Sequence, residues 1–364
     1  MNFSIGFSNK TSFSFPGFAF AIKVPTLDNY LYTILITVTV QTCNLIVAVF
    51  GIGANSVNII IFAKQGFQER VNISLMGLAV SDLLSLVAVV APSVLEYTVR
   101  PFFEDSFHSQ KIYYLTTTTM HQVFVRVTSL ITAFITLERC LCITLPLQVK
   151  NIFTRKSVTC FIISTYFIGI ASVAPIYYTT YLEWVYFQES NHSYLTLTFT
   201  KDRDIVDYYT FIFGNLLLSI SSLLFVATST AFLIKGLQNA GKMLINENSI
   251  NDKNNVISRK KLRIIKMTTS MAIIFIITFT PSIVFNVWTL SDVNFNIGGM
   301  NRKLYEAAFA FAFLLESLNS SVLIFSYYNL SSRYKEIFSS FFSLIFHLVH
   351  ELHHKLHDVG HQRL

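Results

Sequence analysis

Seven stretches of about 20 or more mainly apolar residues, near 41–63, 73–94, 113–143, 157–181, 208–234, 264–290 and 304–328, constrain this chain more than anything else in it. Each is long enough to cross a hydrocarbon core of about 30 Å as a helix. Backbone N–H and C=O groups find no water inside a bilayer, and a helix satisfies them along its own length. A composition of 52% hydrophobic and only 13% charged residues excludes a soluble domain and a disordered chain. The expected fold is an all-α membrane protein, a seven-transmembrane helix bundle. It divides into an N-terminal tail over 1–40, the bundle over 41–328, and a segment over 329–364 with a short amphipathic helix and a histidine-rich tail.

Lysine and arginine collect on cytoplasmic loops. With the N-terminus outside, most of the 27 basic residues fall inside, densest at Arg259, Lys260, Lys261, Arg263 and Lys266 before the sixth stretch. The net charge of +7 therefore reads as membrane topology and not as nucleic-acid binding. The glycosylation acceptors Asn2, Asn9 and Asn191 all fall outside in this orientation, whereas the matching triplets at Asn72 and Asn329 fall inside and should stay unmodified. A multi-pass protein of the plasma membrane is expected, its first span serving as signal anchor because the first 30 residues lack a basic n-region. Cys43, Cys140, Cys142 and Cys160 lie outside the extracellular loops, so no external disulfide is expected.

An acid beside an arginine, Glu138 and Arg139, stands where the third stretch leaves the membrane, within Ile135 to Lys150. Ionisable residues are costly in hydrocarbon, and one at a span's end marks a switch or a partner site. Such an arginine can pair with its neighbouring acid at rest and accept a partner's backbone carbonyls when released. The plainer alternative is a snorkelling arginine that only anchors the span. Further charges lie within the stretches: Asp82, Arg126 and Glu316.

In order along the chain stand Gly53-Ala54-Asn55, Leu78-Ala79-Val80-Ser81-Asp82-Leu83-Leu84, Glu138-Arg139-Cys140, Pro146-Leu147, Phe275 and Phe279 before Pro281, and Leu318-Asn319-Ser320-Ser321 leading to Tyr327. This series resembles the rhodopsin-like G-protein-coupled receptors over nearly the whole bundle. The wording AKQGFQERVNISLMGLAVSDL and ITAFITLERCLCITLPLQVK looks like the molluscan chemosensory receptors and their peptide-receptor relatives.

The resemblance implies a G-protein switch at Glu138, Arg139, Pro146 and Tyr327, and a kink in span six at Pro281. It implies a polar network of Asn55, Asp82, Thr128, Asn319 and Ser320, whose oxygen-only donors suit a sodium ion; the alternative is a dry network holding the helices together with Asp82 protonated. It places the ligand pocket near His121, Arg126, Phe279 and Glu316. Amine receptors place an aspartate where this chain has His121, and opsins a lysine where it has Ser317, so both are disfavoured. The expected partners are a heterotrimeric G protein, an extracellular small molecule or short peptide, and the lipid bilayer; no cofactor beyond the sodium ion and no catalysis is expected.

Arg126 and Glu316 do not belong to the family's general pattern. Arg126 lies about 20 Å along a helix from Arg139, and Glu316 at similar depth relative to Tyr327. A salt bridge between them is the expectation, serving either structure alone or a ligand's carboxylate or amine. The chain departs from the family elsewhere. Span five lacks its proline, Leu323 to Tyr327 keeps only the tyrosine of the usual seventh-span motif, and Lys261 replaces an acid that commonly restrains Arg139. Without the family's outer disulfide, the loop from Glu183 to Asp207 should move more freely. Histidines 347, 350, 354, 357 and 361 align on one face if the tail is helical, a stripe for zinc or nickel or simply part of an amphipathic surface helix. Rival readings are a nonsignalling receptor-like protein and a seven-span transporter, although no internal repeat supports the latter. An intramembrane enzyme would need a Ser/His pair or an acid and histidine cluster within the spans, and the sequence displays none.

Overall fold

The computed structural model describes residues 42–99, 118–187, 192–246, 252–296 and 299–361, with some side chains inside these ranges left undescribed. The tail 1–40 and the acceptors Asn2, Asn9 and Asn191 lie outside the described residues, as do the side chains of Pro146 and Lys261. Seven helices are long and apolar enough to cross a membrane: Thr42–Gln65, Arg70–Ala91, Thr119–Thr144, Arg155–Tyr178, Arg203–Asn239, Leu262–Ser291 and Arg302–Leu330, called spans one to seven here. The protein is a seven-helix membrane bundle, as the apolar stretches require.

Hydroxyl side chains within the spans bond back along their own helices. Ser129 Oγ donates to the Val125 carbonyl at 2.9 Å, Thr136 Oγ1 to Thr132 at 3.0 Å and Thr230 Oγ1 to Val226 at 2.6 Å. In hydrocarbon such bonds satisfy the hydroxyl locally, so serine and threonine sit mid-span without breaking the helix. Span one ends at Gly66, whose φ of 76° lies in the left-handed region where a side chain would be strained. The Asn72 amide closes this corner by donating to the Gly66 carbonyl at 2.9 Å.

Span five lacks a proline yet is not a plain α-helix, since Phe211–Leu218 is a π-helix set between α-helical turns. Pro281 lies inside span six and removes one backbone donor there. Span four is interrupted after Ala171: Ser172 is its C-cap, and a short turn of helix, Ala174–Tyr178, follows with Pro175 near its start.

The segment expected to be free is a paired hairpin. Strands β1 (Thr180–Phe187) and β2 (His192–Phe199) run antiparallel, with Thr180 opposite Phe199 and Phe187 opposite His192. Arg203 ties its base down: it donates to the Ile176 carbonyl at 3.0 Å and to the Thr180 hydroxyl, pairs with Asp207 at 2.6 Å, and lies 4.8 Å from the Phe199 ring centroid. All four cysteines are free, so these bonds hold the hairpin without a disulfide.

At the other end, α1 (Pro146–Ile152) follows span three and α2 (Ser332–His361) follows span seven. The expected short amphipathic helix is in fact 30 residues long and takes in the histidine-rich tail. Its first turn docks on span one, because Tyr334 is fully buried against Phe62 and its hydroxyl donates to Asn58 Oδ1 at 2.6 Å. Burial raises the Tyr334 phenol above its ordinary pKa, which keeps it a donor. Phe62, Leu78, Ile131, Phe134, Met271, Leu323 and Tyr327 form one continuous core with it.

Candidate functional site

Three polar clusters interrupt the apolar interior. The first is at the α1 end of the bundle. Glu138 is completely buried and its Oε2 stands 3.0 Å from Arg139 Nη2. Its other oxygen faces a second arginine, Arg70, at 3.8 Å. Arg70 begins span two, and its Nη1 also donates to the carbonyls of Val149, at 3.2 Å, and Phe153. One carboxylate thus faces two guanidiniums, and one of them grips the C-terminal half of α1. Tyr327 is buried edge-on to Phe62 at 5.2 Å, with its hydroxyl unpartnered. Arg70 was not singled out from the sequence; an arginine opening an apolar stretch looks like an interfacial anchor, and only tertiary packing turns it toward Glu138.

The second cluster lies mid-bundle around Asp82. Its Oδ1 accepts from Thr128 Oγ1 at 2.8 Å and Ser320 Oγ at 2.9 Å, and Ser81 Oγ lies 2.9 Å from Thr128 Oγ1. Asn55 does not reach the carboxylate. Its Nδ2 donates to the backbone carbonyls of Ser320, at 2.7 Å, and Gly51, at 3.0 Å, bracing spans one and seven. Asn319 also turns away, its Oδ1 accepting from Thr278 Oγ1 at 3.5 Å. Of the residues expected together, the structure brings Thr128 and Ser320 directly to Asp82 and places Asn55 one bond further out through the Ser320 carbonyl, while Asn319 bonds Thr278 instead. Asp82 Oδ2 is buried without a partner. An orphaned carboxylate oxygen beside three hydroxyl oxygens is a donor set that fits a small hard cation such as sodium.

The third cluster lies towards the hairpin end and corrects an expectation. Arg126 and Glu316 do not pair. Arg126 Nη1 donates to Ser172 Oγ at 2.7 Å and Nη2 to Asn215 Oδ1 at 2.8 Å, whereas Glu316 Oε2 meets His121 Nε2 at 3.2 Å. Both charges are interior, but span three is a helix and presents Arg126 to spans four and five while His121, five residues away, faces spans two and seven. Matching depth did not imply a shared face.

His121 is 1% exposed, with Nδ1 2.8 Å from Ser85 Oγ and its ring edge-on to Phe313 at 5.1 Å. Nδ1 also lies 3.3 Å from the Ser85 carbonyl oxygen, so the ring bridges Ser85 of span two and Glu316 of span seven. Ser85, His121 and Glu316 therefore form a serine, histidine and acid line across three spans, an arrangement invisible in the sequence because its members are far apart there. All three are sealed from solvent. Phe279, two residues before Pro281, stacks on Phe275 at 4.1 Å, and both are buried.

The polar residues that satisfy Arg126 were also missed. The visible signal was Asn215 inside the apolar run Phe211–Leu218, an amide that hydrocarbon would not tolerate without a partner. In α2 the described histidines 347 and 350 are exposed, His347 facing Glu351 at 3.7 Å, and no group of metal-holding residues occurs among the described residues.

No curated protein matches this chain. The sequence model of the family described as 7 transmembrane receptor (rhodopsin family) matches residues 54–322, which takes in the carboxylate of Asp82, the paired Glu138 and Arg139, and Pro281. With seven membrane-length helices and these clusters inside them, the chain is a multi-pass membrane protein that belongs to the rhodopsin family of seven-transmembrane receptors.

Proposed function

We propose that this protein is a chemosensory receptor of the plasma membrane, N-terminus outside, that converts binding of an extracellular chemical ligand into activation of a heterotrimeric G protein. The observation that carries the reading is Glu138, fully buried and holding Arg139 at 3.0 Å where span three ends. A buried carboxylate with an arginine held at the membrane edge is a two-state element: closed, the guanidinium is spent on Glu138; open, its five donors are available to a partner's carbonyls. Ligand binding near His121, Arg126, Phe279 and Glu316 would favour the state in which span six swings on Pro281 and uncovers Arg139.

Asp82 is the second element of the proposal. Asp82, Thr128 and Ser320 would hold a sodium ion in the resting state, with Ser81 bonded to Thr128 beside them. When bound, the ion supplies a positive charge to the orphaned Oδ2 and favours the closed packing of spans two, three and seven.

Arg139→Ala tests the reading. Ligand-evoked nucleotide exchange on G proteins should vanish while surface amount stays near that of the unaltered protein. An undiminished response at equal surface amount would remove Arg139 from the mechanism.

A further inference from the structure

Arg126 carries a full charge that nothing near it balances. Its residue is 5% exposed, and its two hydrogen-bond partners, Ser172 Oγ and Asn215 Oδ1, are neutral. Its Nε is buried without a partner. Among the described residues no carboxylate lies within ion-pair distance of it, the candidate Glu316 being committed to His121 at 3.2 Å. A guanidinium offers five N–H donors in a planar fork, and two are engaged here. Burying such a charge against dipoles alone is costly, and the cost is offset when an anion completes the fork.

The surroundings keep this charge in place. Ser172 Oγ donates to the Gly169 carbonyl at 2.6 Å, which turns its lone pairs toward the arginine. The guanidinium lies directly on Gly214, where any Cβ would collide with it. Gly214 and Asn215 belong to the π-helical turns of span five, and Ser172 caps the point where span four breaks. The arginine is thus wedged between two irregular helices, and π-helical turns recur where a helix serves a site more than its own regularity.

We propose that Arg126 is the recognition point for a carboxylate-bearing ligand, which seats its anion on the free Nε edge of the guanidinium between spans three, four and five. The anion pairs with the fork bidentately, and Asn215 and Ser172 orient the fork for it. This deepens the receptor reading by naming the chemical class of ligand, and it rests on that reading.

The test is made on the purified full-length protein in lipid nanodiscs, with no G protein present, so that its failure is separable from a failure to signal. Thermal unfolding is followed with butyrate, hexanoate, octanoate and phenylacetate, each against its own amide, at ionic strength matched with sodium chloride. At saturation at least one carboxylate should raise Tm by about 2–4 °C with a saturating dose response, its amide should not, and Arg126→Gln should abolish the rise. Asn215→Asp is the second variant, because it places a carboxylate against Nη2 where the amide oxygen now stands 2.8 Å away. It should raise Tm with no probe added and remove the response to carboxylates. The proposal is overturned if no carboxylate exceeds its amide in the unaltered protein, or if Asn215→Asp responds to carboxylates as the unaltered protein does.

Discussion

Replacing Glu138 with Gln keeps the size of a fully buried side chain and removes the charge that two arginines share. At an effective dielectric of about 20, a pair at 3.0 Å and one at 3.8 Å have gross attractions of about 5.5 and 4.4 kcal/mol. Neither contact has hydrogen-bond geometry and desolvation offsets most of the attraction, so a net of about 1.5–3 kcal/mol, the usual size of a coupling between two states, is retained. If that net is present when Arg139 is closed and absent when it is released, its loss moves the resting equilibrium by about 10- to 150-fold toward the open state. Basal nucleotide exchange on a panel of G proteins, at matched surface amounts, should therefore rise at least about tenfold. Spin labels on spans three and six, read by distance distributions, should show more of the outward state with no G protein present. Arg70→Gln should do the same more weakly, since its contact is longer, and should add little in the Glu138→Gln background because both changes remove one shared interaction. Unchanged basal exchange together with an unchanged distance distribution would refute the closed-pair argument. A full Arg70→Gln effect in the Glu138→Gln background would transfer the role of Arg70 to its bonds with the Val149 and Phe153 carbonyls.

Three further outcomes are expected. Sodium in place of choline should raise the thermal stability of the purified protein, and Asp82→Asn should flatten that dependence; equal sodium dependence in both would sink the cation site. The double replacement Arg126→Glu with Glu316→Arg should recover surface expression no better than the worse of its singles, because His121 and Asn215 stand where each new charge would need its partner. Recovery close to the unaltered level would show the two charges to be in contact after all. Tyr334→Phe loses the 2.6 Å bond to Asn58 and should cost about 1 kcal/mol, read as a lower Tm and as faster amide exchange confined to the start of α2.

The bundle was legible in the sequence because lipid imposes a one-dimensional rule: a run of apolar residues long enough to span must become a helix, and no tertiary partner is needed to decide it. For the same reason the ends of spans one, two, four, six and seven fell within three residues of their positions, whereas span five runs five residues further at each end and the expected start of span three lies outside the described residues. Glu138 and Arg139 were legible because they are adjacent in the chain, and Asp82 because a lone carboxylate in a hydrophobic stretch has few explanations. What the sequence did not decide was which way each interior group faces. The depth of Arg126 and Glu316 followed from counting residues, but their partners depended on helix rotation and on the neighbours each face meets, so the expected pair resolved into Arg126 with Ser172 and Asn215, and Glu316 with His121. Arg70 reached Glu138, Tyr334 reached Asn58, and Ser85 lined up with His121 across long separations in the chain. Apolar length writes a membrane fold into the sequence residue by residue, whereas polar partnership inside it is a property of the assembled faces, set only when the helices pack.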